Sequence, residues 1–105
     1  MDRAKKIVII TEKLITEDVT SIIDECGATG YSISSVGGKG SRGKRSADRD
    51  VLADTSANIR IEVIVPNEAM ARKIAERIAK EYLINYSGIM FLEDVEVLRP
   101  EKFLS

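Results

Sequence analysis

The hydrophobic and polar positions of the chain fall into six segments with alternating periods. Residues 6–11, KIVIIT, hold four consecutive apolar side chains, Ile7 to Ile10, and read as a strand covered on both faces. The stretch from Thr16 to Cys26 changes to a helical period. Val19, Ile22, Ile23 and Cys26 stand at i, i+3, i+4 and i+7 and form one apolar stripe. Thr16 is the expected cap, Glu17 and Asp18 suit the first turn, and Gly27 is the expected stop. Residues 30–36 alternate Tyr31 and Ile33 with Ser32 and Ser34, as a half-exposed strand does. Residues 58–65 alternate more strictly, with Ile59, Ile61, Val63 and Val65 on one face and Arg60, Glu62 and Ile64 on the other. Pro66 and Asn67 end that strand and open a second helix. Its stripe is Met70, Ile74, Ile78 and Tyr82, flanked by the small Ala71, Ala75 and Ala79. A last strand is expected from about Gly88 to Leu98, closed by Pro100.

The order is β-α-β-β-α-β in a single domain spanning residues 1–105. The leading solution for that order is an α+β, ferredoxin-like fold, an antiparallel sheet with two helices on one face. The first and third strands, the richest in apolar residues, are then central. The other sheet face is left bare. Val8, Ile10 and Ile64, or their face partners, cannot all lie under the helices, and another copy of the chain is the natural cover.

Residues 37–57 do not belong to this core. A connection this long is unusual between hairpin strands, and it carries no helical stripe. It begins with Gly37, Gly38, Gly40 and Gly43 interleaved with Lys39, Ser41, Arg42, Lys44 and Arg45, so that four basic residues and no acidic one fall between 39 and 45. Glycines let backbone N–H groups approach an anion, while serine adds a hydroxyl donor and the cations add charge. The spacing is neither a Walker A loop nor a dinucleotide fingerprint. By local sequence alone, an anion-binding loop and a solubilising flexible loop are equally good readings. Asp48, Asp50 and Asp54 beyond the basic run could pair with its arginines or help hold a divalent ion on a triphosphate, with pairing or plain solvation the simpler reading.

Composition narrows the chemistry. Sixteen basic against 17 acidic residues give a formal net charge of −1, which excludes a generally basic nucleic-acid coat. There is no histidine, so imidazole acid–base catalysis is excluded. One cysteine, Cys26, cannot form an intrachain disulfide and, on the helix stripe, reads as an inert buried thiol. No metal staple is visible. The first residues form neither a signal peptide nor a membrane span, so a cytoplasmic protein is expected.

These residues in this order resemble the PII-like signalling proteins, specifically the carbon-related branch typified by SbtB and the carboxysome-associated PII proteins. The similar segments are IVIITEK (7–13), IIDECGATGYS (22–32), VGGKGSRGKRS (36–46), ANIRIEVIV (57–65), EYLINYSGIMF (81–91) and VEVL (95–98). The resemblance implies a homotrimer with an adenine nucleotide (AMP, ADP, ATP or cyclic AMP) in the cleft between subunits. It also implies a long T-loop that changes order with the ligand and reports to a partner, such as a membrane bicarbonate transporter. Bicarbonate is a possible second effector. Carried over by residue, Gly37, Gly38, Lys39 and Gly40 would wrap the phosphates. Ser41, Arg42 and Arg45 would add phosphate or loop-ordering contacts, with Arg45 and Arg49 evenly placed between contact and solvation. Tyr86, Ser87, Gly88 and Ile89 would line the cleft from the other side, though Tyr86 serves a subunit contact equally well. Thr11, Glu12 and Lys13 would touch the nucleotide or the subunit boundary. Met90 and Phe91 would surround adenine or fill the sheet core.

Two departures from the pattern stand out. The ending LRPEKFLS lacks the paired cysteines of some SbtB proteins, and no tyrosine lies in 37–57 for covalent uridylylation. The expected activity is therefore ligand-controlled signalling, without catalysis. The rival readings are a weak nucleotide hydrolase, a structural trimeric scaffold and a loop-mediated anion or nucleic-acid binder.

Overall fold

A computed structural model describes residues 2–37 and 57–98. The body of the fold is as expected: four antiparallel strands and two helices on one face of the sheet. Strand β1 is Asp2–Glu12, followed by a 3-10 turn at Lys13–Ile15 and helix α1, Thr16–Glu25. Then come β2 (Tyr31–Val36), β3 (Asn58–Val65), helix α2 (Glu68–Glu81) and β4 (Gly88–Val97). The sheet order is β2-β3-β1-β4, so the first and third strands are indeed central. The register pairs Ile9 with Ile61 on one side and with Met90 on the other.

Alternation along these strands separates two faces. Ile7, Ile9, Ile59, Ile61, Val63 and Val65 lie in one core with Val19, Ile22 and Ile23 of α1 and Ala71, Ile74 and Ile78 of α2. Each fully buried isoleucine contributes about 1.5–3 kcal/mol relative to an exposed one. Of the three alanines expected to flank the α2 stripe, only Ala71 is buried against the sheet, while Ala75 is half-buried and Ala79 is exposed.

Both helix ends are set by local chemistry, though not both as expected. Gly27 takes φ +93° and ends α1. The Ala28 N–H donates to the Ile23 carbonyl at 3.3 Å and the Gly27 N–H to the Asp24 carbonyl at 3.0 Å, the paired bonds of a Schellman stop. At α2, the Asn67 side chain accepts from the Met70 N–H at 2.9 Å. Thr16, by contrast, does not cap α1. It is already helical, at φ −53° and ψ −51°, and its hydroxyl donates backward to the Lys13 carbonyl at 2.6 Å. The cap position falls on Ile15, which has no side-chain acceptor. The 3-10 turn carries the chain straight into the helix, so the hydroxyl has no extended residue from which to reach forward.

Three further expectations are corrected. β1 starts at Asp2, four residues earlier than the apolar run suggests, because Asp2–Lys6 pair with Val97–Glu93 of β4. Val8 needs no second chain: on the bare face it is already fully buried, with Glu62 and Phe91 as its cross-strand neighbours. Cys26 is half-buried and packs at the edge of the core, where its sulfur accepts from Arg77 Nη1 at 4.0 Å. The remaining bare face keeps Ile10 and Ile64 half-exposed, Ile89 59% exposed and Phe91 38% exposed.

Candidate functional site

The ends of all four strands lie together at one end of the sheet. Val36 pairs with Asn58, Asn58 with Glu12, and Thr11 with Gly88. The Lys13 N–H donates to the Ala57 carbonyl at 2.9 Å and ties the end of β1 to the far base of the 38–56 segment. Gly37, Thr11, Ser87 and Gly88 thus lie at one end of the sheet, as their common assignment to a site requires. Gly38, Lys39, Gly40, Ser41, Arg42 and Arg45 lie outside the described residues, as do Asp48, Arg49, Asp50 and Asp54.

Helix α2 runs into a turn at 82–86, in which the Asn85 and Tyr86 N–H groups both donate to the Tyr82 carbonyl at 3.0 Å. That turn delivers Ser87 to the end of β1. The Thr11 hydroxyl, itself buried, donates to the Ser87 carbonyl at 2.7 Å. The Glu12 carboxylate oxygen Oε2 accepts both the Ser87 N–H, at 2.8 Å, and the Ser87 hydroxyl, at 3.1 Å. Ser87 is therefore gripped on both sides, through its carbonyl by Thr11 and through its donors by Glu12. Gly88 explains how the approach is possible. A Cβ there would stand 2.9 Å from the Ile10 carbonyl oxygen, 2.9 Å from Thr11 Oγ1 and 3.1 Å from Leu83 Cδ2. At Gly37 a Cβ would meet nothing within 4 Å among the described residues.

The other named positions separate by strand alternation. Tyr86 packs against the helix-covered core, and so does Met90. Ile89 and Phe91 point to the bare face, where Ile89 pairs with Ile10. Of Met90 and Phe91, the first packs on the core and the second lies on the bare sheet face. Glu12 is the residue the sequence placed least well. A carboxylate just past a strand gives no periodic or motif signal, and only the fold brings it to Ser87, 75 positions away.

Charge runs across the bare face, from Arg60 toward this end to Lys6 and Glu93 farther along the sheet. Arg60 Nε pairs with Glu62 Oε2 at 2.6 Å, and Lys6 Nζ reaches Glu62 at 3.1 Å and Glu93 at 3.7 Å. Hydrogen bonds from Arg60 first and Lys6 second hold the Glu62 carboxyl below the ordinary glutamate range. Among the described residues no group of three metal-ligating side chains comes together, and no helix is long and apolar enough to cross a membrane.

Comparison with known proteins agrees with this fold. A family model described as nitrogen regulatory protein P-II matches residues 4–102. A PII-like signaling protein from Thermus thermophilus is 37% identical, with 98% of this chain and 99% of that one covered at a TM-score of 0.79. CPII from Thiomonas intermedia, a nitrogen regulatory PII-like protein whose structure holds ADP, AMP and bicarbonate, is 31% identical over 98% of this chain and 95% of that one, at a TM-score of 0.80. The GlnK–ATP complex of B. subtilis, at 19% identity and a TM-score of 0.59, shares the fold. With its strand order, its bare sheet face and a family match across nearly its whole length, the chain belongs to the P-II family.

Proposed function

We propose that this protein is an adenine-nucleotide sensor whose 37–57 segment acts as a ligand-controlled loop and reports to a protein partner, linked to inorganic carbon. The observation that carries the reading is the convergence of Gly37, Thr11, Glu12, Ser87 and Gly88 at one end of the sheet, in a chain 31% identical to a protein that holds ADP, AMP and bicarbonate. Ser87 carries two donors there, both turned to Glu12 in this structure, and the adjoining segment begins with glycines, a serine and four cations, the groups that bind phosphate. Lys39 and Arg42 carry the charge pairing, and Ser41 and Arg45 support it.

The working unit is a homotrimer. Ile10, Ile64, Ile89 and Phe91 leave the bare face apolar, and a second and third copy would cover it. A cleft between neighbours would then complete the site. The mechanism is a population shift: AMP, ADP, ATP or cyclic AMP, alone or with bicarbonate, favours different loop states, and the partner reads them. Such a sensor works in the cytoplasm and meets the membrane only through a partner such as a bicarbonate transporter. No chemical step on the nucleotide is required.

Calorimetric titration with each nucleotide, with and without bicarbonate, tests this. Saturable binding with a Kd of about 1–100 μM is expected. The double variant K39A/R42A is expected to lose about tenfold or more in affinity while keeping its assembly. Absence of binding by every adenine nucleotide would leave a structural scaffold, and unchanged affinity in the double variant would sink the loop-base site.

A further inference from the structure

The Ser87 donors are already occupied by an anion, and that anion belongs to the chain. Both the N–H and the hydroxyl converge on one oxygen of Glu12, at 2.8 and 3.1 Å. Two donors aimed at one carboxylate oxygen are what a phosphate oxygen would also take. We propose that Glu12 is a specificity-determining residue: its carboxylate is an internal competitor that fills the Ser87 donors in the free protein and is displaced when a nucleotide phosphate enters. The proposal rests on the nucleotide reading above and deepens it.

Glu12 could instead be a plain strut that holds the 82–87 turn in place. The geometry argues against that, because the turn has other anchors. The Thr11 hydroxyl holds the Ser87 carbonyl at 2.7 Å, Thr11 pairs with Gly88 in the sheet, and Gly88 sits against the Ile10 carbonyl with no room for a side chain. Tyr86 is held from the other direction by its bond to the Tyr82 carbonyl and by its packing on the core. Release of Glu12 therefore leaves Ser87 where it is, with its two donors open. The bond to Glu12 is dispensable for position and available for exchange. Glu12 also adjoins the loop base: its cross-strand partner is Asn58, and the next residue, Lys13, donates to Ala57.

An internal competitor has a distinctive consequence. Neutralising it must strengthen binding, because the incoming phosphate no longer displaces a charge or meets its repulsion. Glu12→Gln keeps an acceptor for Ser87 and removes the charge. Titrated with AMP, ADP and ATP, E12Q is expected to bind ADP about three- to tenfold more tightly than wild type, with the gain largest for ATP and smallest for AMP. Equal or weaker binding by E12Q, beside a wild-type protein that binds normally, overturns the proposal and leaves the nucleotide reading intact. Failure of wild type to bind any nucleotide overturns both.

A second measurement needs no variant. In wild-type protein, the scalar coupling across the hydrogen bond between the Ser87 amide nitrogen and the Glu12 carboxyl carbon is expected in the free form and lost at ADP saturation. Retention of that coupling in the complex overturns the proposal even if E12Q does not fold.

Discussion

Gly88 shows how much a single missing side chain can decide. Its Cα carries no Cβ because backbone and hydroxyl atoms stand 2.9 Å from where one would be, and neither is the flexible tip of a long side chain. Gly88→Ala must push β4 away from Ile10 or displace the Thr11 hydroxyl from the Ser87 carbonyl. A loss of about 2 kcal/mol is expected in denaturant unfolding, the usual scale for overpacking a tight contact. Gly37→Ala is the control: with open space around it, stability is expected to stay within about 0.5 kcal/mol of wild type. Any loss of nucleotide affinity in that variant would then be separate from folding. The two glycines look alike in the sequence, and both suit one site there. Only the packing shows that Gly88 is demanded by its own chain. Glu12 and Lys13 share the same opacity, since their partners Ser87 and Ala57 are brought by the fold from distant segments.

At the scale of elements, the two helix starts make a matched pair. Asn67 holds the Met70 N–H with its side chain, while Thr16 turns its hydroxyl back to Lys13. Asn67→Ala should cost about 1 kcal/mol. Thr16→Ala should stay within about 0.5 kcal/mol, because no N-terminal donor of α1 depends on it. Equal losses in thermal unfolding would contradict this division. The helices and central strands were legible because burial imposes a period: 3.6 residues in α1 and α2, two residues in β3. The start of β1 was not, because Arg3, Lys5 and Lys6 are charged and gain their place from partners on other strands. Lys5 meets Asp94 of β4, and Lys6 meets Glu62 of β3 and Glu93 of β4. The Thr16 cap failed for a related reason. The sequence offers a good capping residue, but nothing local announces the 3-10 turn that puts it inside the helix. The candidate site was legible as residue types and as an end of the sheet. The hydrogen bonds within it depend on contacts 75 and 76 positions apart, which no local pattern encodes.

For the whole molecule, the bare face is where the proposed trimer would associate, and the charged residues of the sheet decide acid sensitivity. Phe91 and Ile89 lie exposed among half-buried Ile10 and Ile64, so a charge placed there should prevent association. The proposed trimer has three times the 11.6 kDa chain mass, and Phe91→Glu is expected to reduce it to monomer, read by light scattering beside wild type. The ion pairs across the strands answer to pH. Arg60 and Lys6 hold Glu62 below the ordinary glutamate range, and Lys5, through its hydrogen bond, holds Asp94 below the ordinary aspartate range. A carboxyl depressed in the folded state binds its proton more readily in the unfolded chain. Its stabilisation is therefore complete above the unfolded values, about 4.3 for Glu and 3.9 for Asp, and disappears as pH falls through the lower folded values. Denaturation midpoints should be level from neutral pH to about pH 5 and fall below about pH 4.5. Glu62→Gln should remove part of that fall. Because these carboxyls are solvent-accessible, added salt should also shrink it. A midpoint that rises on acidification would mean that carboxylate repulsion outweighs the Lys6–Glu62–Arg60 network.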